Sequence, residues 1–156
     1  MNNPTLLKNL RNIPDFPIPG IQFKDVTTLF KDAECMQIMI DELYELYKDK
    51  GITKVVGIES RGFILAPALA IRLGAGFVMC RKPGKLPAET VQESYQKEYG
   101  VDTIEIHKDA IDENDVVLLL TRRFIGYRRI NESNIEPCKK IQSQESLYQF
   151  HHRTDS

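Results

Sequence analysis

Arg61, Arg81, Lys82 and Lys85 are the residues of this chain whose types and spacing best suit them to chemistry. Arg61 sits in Gly57-Ile58-Glu59-Ser60-Arg61-Gly62-Phe63, just after the apolar pair Val55-Val56. The other three stand in Arg81-Lys82-Pro83-Gly84-Lys85-Leu86-Pro87, directly after Gly76-Phe77-Val78-Met79-Cys80. Both apolar runs read as buried strands of a parallel sheet. Each group of cations then falls at the carboxyl end of a strand, the edge at which open α/β sheets bind ligands. A fixed guanidinium beside the free amides of a helix start suits an anion. Cations interleaved with Pro83, Gly84 and Pro87 read as a mobile clamp on a polyphosphate. A solvated surface loop is the plainer alternative, and the edge shared with Arg61 favours the clamp.

The elements that position these residues follow from periodicity. Thr5–Asn12 reads as a short helix, broken by Pro14, Pro17 and Pro19, with a turn at Pro19-Gly20 and an extended Ile21–Val26 beyond it. Asp32 is placed as the N-cap of a long helix running to Lys50, with Gly51 past its end. Met36, Met39, Ile40, Leu43 and Tyr47 form its core stripe. Phe63–Leu73 reads as a second helix ended by Gly74. Thr90–Tyr99 and Thr103–His107 read as an antiparallel excursion, with His107 structural or exposed. Asp115–Leu120 is the most apolar strand and should be central. The alternation of helices and strands predicts an α/β fold, a mainly parallel sheet flanked by helices.

Composition narrows the classes. The chain has 156 residues, 42% hydrophobic and 28% charged, with net charge −1, which fits a globular domain without a general affinity for polyanions. The balance is uneven. Residues 1–120 hold 14 Lys+Arg against 18 Asp+Glu, or −4, and residues 121–156 hold 7 against 4, or +3. A domain over 1–120 and a separate tail over 121–156, disordered or poorly packed, are therefore expected. Cys35, Cys80 and Cys138 form no C-x-x-C pair, so neither a disulfide framework nor a zinc site is expected. No apolar run reaches transmembrane length, and Met1-Asn2-Asn3-Pro4 does not open a signal peptide. A cytoplasmic protein with no membrane or nucleic-acid partner is the expectation.

Six fragments in order carry a resemblance. They are Phe16-Pro17-Ile18-Pro19-Gly20-Ile21, Phe23-Lys24-Asp25-Val26-Thr27, Gly57–Phe63, Arg81–Pro87, Glu98-Tyr99-Gly100 and Glu105-Ile106-His107-Lys108-Asp109-Ala110. Together they resemble the type I phosphoribosyltransferases, in particular those acting on adenine. The resemblance implies that fold, and a purine-salvage reaction in which adenine and phosphoribosyl pyrophosphate (PRPP) give AMP and pyrophosphate with Mg²⁺ bound alongside PRPP. It also implies a homodimer. By the same resemblance, Arg61, Arg81 and Lys85 hold the pyrophosphate, with Lys82 beside them in the binding loop. Glu98 is the general acid facing the purine N7, Tyr99 closes over the site and Phe23 stacks on the base. The backbone of Gln22 and Lys24 reads adenine's edge. The adenine-type motifs at Glu98-Tyr99 and Arg81–Pro87 argue against another base.

One expected motif is absent. The family continues after its last core strand with D-D-x-x-A-T-G-G-[ST], whose acids hold the ribose hydroxyls and whose loop holds the 5′-phosphate. This chain instead reads Thr121-Arg122-Arg123-Phe124-Ile125-Gly126-Tyr127-Arg128-Arg129-Ile130. Read one base later, codons for Arg122–Ile130 can encode D-D-L-L-A-T-G-G-S. Phe150–Ser156 can likewise encode F-I-I-E-L-I, similar to a late family strand. Residues from about Thr121 therefore read as a frameshifted tail, leaving the fold truncated in its C-terminal part. Little or no activity is expected, and the alternative function is a catalytically inactive remnant of that family that could still dimerise.

Overall fold

Asp32 starts the longest helix among the described residues by turning its carboxylate back on the helix's free amides. Its Oδ1 accepts from the Cys35 amide at 2.8 Å, and the helix runs over Ala33–Tyr47. A computed structural model describes residues 3–97, 100–120 and 125–129. Two compact units are present, Met1–Asp49 and Lys50–Ser156. The change of charge balance at residue 120 falls inside the second. Residues 121–124 and 130–156, on which most of the tail reading rests, lie outside the described residues.

In the first unit, α1 (Pro4–Asn9) is capped by Asn3, whose side chain accepts from the Thr5 amide. β1 (Arg11–Pro14) and β2 (Gln22–Asp25) pair antiparallel, from Arg11↔Asp25 to Pro14↔Gln22. The first helix is thus shorter than its leucine spacing predicts. Residues 11–14 are taken up by pairing with a strand eight or more positions on, which local periodicity does not register. Between the strands, Gly20 stands at φ 89° and donates its amide to Asp15 Oδ1 at 2.7 Å. α2 (Thr27–Phe30) and α3 (Ala33–Tyr47) follow. Cys35, Met39, Ile40 and Leu43 of α3 are buried, whereas Met36 and Tyr47 of the expected stripe are only half-buried. The helix ends at Tyr47, three residues short of the Lys50 its sequence predicts, and Gly51 takes the left-handed conformation beyond it.

Asp25 ties β1, β2 and α2 together. Its carboxylate accepts from the Thr27 amide at 2.9 Å and from Arg11 Nε at 2.9 Å. The Thr27 amide and hydroxyl, then the Arg11 guanidinium, lower its pKa from 3.8 to about 2. A depressed carboxylate contributes stability above its unfolded pKa of 3.8, and that contribution drains away as the pH falls towards 2. Denaturant unfolding of Asp25→Asn is expected to show a flatter acid limb across that window than the parent chain. An unchanged limb would refute the linkage.

The second unit is built on β3 (Lys54–Ile58), which pairs parallel with both β4 (Gly76–Cys80) and β7 (Val116–Leu120). β8 (Ile125–Arg129) adds antiparallel to β7, giving the order β4-β3-β7-β8. The two β-branched, apolar strands expected at the centre are there: Val55, Val56, Leu118 and Leu120 are all buried. α4 (Gly62–Leu73) links β3 to β4 and ends at Gly74, whose φ of 68° only glycine adopts freely. Thr53 Oγ1 joins the feet of β3 and β7 through Asp115 at 2.6 Å. β5 (Thr90–Lys97) and β6 (Gly100–His107) form the predicted hairpin in register Thr90↔His107. Ile104 and Ile106 press it onto Val56, Val78 and Cys80. Cys35 and Cys80 are buried and are not joined in a disulfide. No described helix is long and apolar enough to cross a membrane.

Candidate active site

The parallel register brings Ile58 of β3 opposite Cys80 of β4, so both strands end at one edge. The Glu59 amide then donates to the Cys80 carbonyl at 2.8 Å, extending the ladder by one rung. The next two residues turn the chain into α4. Arg61 has helical angles, its side chain makes no capping bond and it is exposed. The turn is tight because two glycines let backbone meet backbone. A Cβ on Gly57 would lie 2.9 Å from the Gly62 carbonyl oxygen, and one on Gly62 would lie 2.5 Å from that of Leu120. Phe63 meets Phe77 edge-on with ring centroids 6.0 Å apart, fixing the start of α4 against β4.

The basic loop opens at the end of β4 and is fastened by two carboxylates. Glu59 Oε2 accepts from Arg81 Nε at 3.1 Å and from the Lys82 amide at 3.2 Å. Arg81 Nη1 donates across the loop to the Lys85 carbonyl at 3.2 Å. Further on, Glu105 Oε1 accepts from the Lys85 and Leu86 amides at 3.2 and 3.3 Å. Gly84, at φ 77°, supplies the left-handed residue the bend needs. A segment whose prolines and glycine read as mobile is thus tied down at both shoulders, with Lys82 and Lys85 exposed between.

The electrostatics follow from these bonds. The Arg81 guanidinium and the Lys82 amide hold the Glu59 carboxyl below its ordinary range. Burial alone would raise the Glu105 carboxyl, but hydrogen bonds from Gln92, Leu86, Lys85 and Thr90 outweigh it and leave it lowered. Both are therefore ionised near neutral pH. Four cations (Arg61, Arg81, Lys82 and Lys85) against two carboxylates leave a surplus of two positive charges at this edge. Such a surplus beside a helix start can hold a multiply charged anion.

The predicted site residues fall into three groups. Arg81, Lys82 and Lys85 gather around Glu59, with Arg61 two residues along the same turn. Gln22, Phe23 and Lys24 lie on β2 in the first unit. There Phe23 packs edge-on against Phe16 with ring centroids 5.1 Å apart, and Gln22 accepts from Asn12 at 2.6 Å. Glu98 and Tyr99 lie outside the described residues, between Lys97 and Gly100, where the β5–β6 ladder closes. His107 is half-buried, and its Nε2 has no hydrogen-bond partner among the described residues. Glu59 and Glu105 were not singled out for any role by sequence. The only signal was an acid set between two core isoleucines, Ile104-Glu105-Ile106.

The chain is also similar to known proteins. The chain is 77% identical over 119 residues to the adenine phosphoribosyltransferase of Phocaeicola vulgatus, a match covering 76% of this chain and 68% of that relative. It is similar to the crystal structure of adenine phosphoribosyltransferase from Rhodothermus marinus, with 56% identity and a TM-score of 0.66 over 74% of this chain and 65% of the other. The Saccharomyces cerevisiae enzyme, solved with D-2,5-dideoxy-2,5-imino-altritol 1,6-bisphosphate and adenine, matches at 41% identity and a TM-score of 0.68 over 75% of this chain and 69% of the other. The matched part thus spans about two thirds of each relative's length. No protein-family model matches the chain.

Proposed function

The chain belongs to the adenine phosphoribosyltransferase family of pentosyltransferases, and we propose that its carboxyl-edge cations hold the pyrophosphate of PRPP during transfer of the phosphoribosyl group to adenine. The observation that carries this reading is the convergence of the Glu59–Arg61 turn and the Arg81–Pro87 loop on one sheet edge, sealed by the 3.1 Å Glu59–Arg81 pair. In the reaction the C1′–oxygen bond to pyrophosphate breaks, a bond from C1′ to adenine N9 forms, and the N9 proton is lost. Negative charge grows on the departing oxygen. Cations at Arg61, Lys82 and Lys85 stabilise it by charge-assisted contacts. Arg81 serves the same anion while bracing the loop through Glu59 and Lys85.

The remaining roles rest on the family resemblance. Phe23 stacks on the base, the backbone of Gln22 and Lys24 reads its edge, and Glu98 holds a proton towards N7 with Tyr99 closing over it. The adenine in the yeast structure supports a base subsite of this kind. Mg²⁺ supplies further charge neutralisation when PRPP binds. By the same resemblance the ion arrives bound with PRPP. A cytoplasmic homodimer is part of this reading. So is the division at residue 120, supported by a match of 119 residues, close to the length of that segment.

Calorimetric titration of the chain with pyrophosphate tests the anion site. Lys85→Ala and Arg61→Ala are each expected to weaken binding about tenfold or more, the loss of one charge-assisted contact, and added salt should narrow the difference. Equal affinity in the parent and both variants would remove these residues from the site. AMP formation from adenine and PRPP, read by pyrophosphate release, tests the reaction itself.

A further inference from the structure

We propose that Glu105 is a positioning residue that shapes the basic loop from within, so that Lys82 and Lys85 face a phosphate-bearing anion; the inference rests on the anion site described above. Glu105 is only 2% exposed and stands between Ile104 and Ile106, both core residues. An ionised carboxylate is costly in such a place unless its oxygens are satisfied. Four donors satisfy these, and none of them is a cation. Oε1 takes the Lys85 and Leu86 amides, and Oε2 takes Gln92 Nε2 at 2.9 Å and Thr90 Oγ1 at 3.3 Å.

The main chain of the same residue completes the arrangement. Arg81 donates its amide to the Glu105 carbonyl at 2.9 Å, and the Glu105 amide donates to the Arg81 carbonyl at 2.8 Å. The loop is therefore held at its first residue, at its bend and at its exit into β5 by one residue of β6. Because this carboxylate is spent on four neutral donors, its oxygens are taken up without an ion pair to the lysines it positions. Glu59 differs in this respect, since it pairs with Arg81 directly.

Hydrogen–deuterium exchange of the full chain, resolved at Lys85 and Leu86, tests the proposal together with pyrophosphate titration. Glu105→Ala is expected to speed exchange at both amides about tenfold or more and to weaken pyrophosphate binding about tenfold, from loss of bonds to a charged acceptor. Glu105→Gln keeps an oxygen for the amides and should fall between, and it carries the test should the alanine variant not fold. Lys85→Ala serves as the counterpart, weakening pyrophosphate binding while exchange at Leu86 stays as in the parent. Parent-like exchange in the Glu105 variants overturns the proposal, as does faster exchange with unchanged pyrophosphate affinity. A parent chain that binds no pyrophosphate overturns the anion site itself, and exchange in the Glu105 variants then still decides whether this residue holds the loop.

Discussion

Shifting the reading frame by one base after Thr121 is expected to raise AMP formation by about a thousandfold or more. β7 ends at Leu120, one strand over from the turn that carries Arg61, and the Leu120 carbonyl lies against Gly62. β7 therefore ends beside the cations proposed above to hold pyrophosphate. A substrate with a pyrophosphate at one end and a 5′-phosphate at the other needs its second anchor here. The present sequence offers Arg122 and Arg123, whereas the shifted reading offers two aspartates for the ribose hydroxyls and a glycine pair whose amides can form a phosphate nest. Losing several charge-assisted contacts together costs on the order of 5 kcal/mol of transition-state binding. That is three to four powers of ten in rate. The measurement is AMP formation by the present and frame-restored chains under saturating adenine. Robust turnover by the present chain, or no gain on restoration, would sink the account of the missing cradle.

Gly62→Ala is expected to destabilise the chain by about 3 kcal/mol, lowering the thermal midpoint by roughly ten degrees. The added carbon would meet the Leu120 carbonyl oxygen at 2.5 Å and Gly57 backbone atoms at 3.1 and 3.2 Å. None of these belongs to a side chain that could swing aside, so α4 or β7 must shift. Gly76→Ala is the contrast. Its nearest neighbour is Lys54 Cδ at 3.2 Å, on a flexible chain, and a cost of about 0.5 kcal/mol or less is expected. Equal midpoints for the two variants would refute the close-packing explanation. In the Gly62 variant the turn carrying Arg61 moves with the helix, so pyrophosphate affinity should fall as well.

The parallel core was legible because its signals are local. Val55-Val56, the apolar Val116–Leu120 and the helix closed by Gly74 announce themselves within a few residues. Asp32 was legible as a cap for the same reason. What was not legible depends on distant partners. Residues 11–14 became a strand because of residues 22–25. Strand alternation puts Glu105 on the face opposite Ile104 and Ile106, which reads as exposed. It is buried because the loop 20 positions earlier folds over that face. The cations themselves were found by type and spacing, but the carboxylates that hold them in place were not, since an acid near a base in space need not be near it in sequence.

Strand β8 bears on how the molecule keeps to itself in a crowded solution. β7 is the most apolar strand of the sheet, and its ladder to β3 satisfies one side only. Left bare, the other side would be a row of amides and carbonyls able to recruit the same strand from another copy. Ile125–Arg129 occupies that row from Leu120↔Ile125 to Val116↔Arg129. Main-chain pairing asks little of side-chain identity, so a segment of varied sequence such as Ile125–Arg129 can serve as the cover. The most apolar strand of the sheet is thereby paired along both sides, and the row most able to recruit another copy is covered.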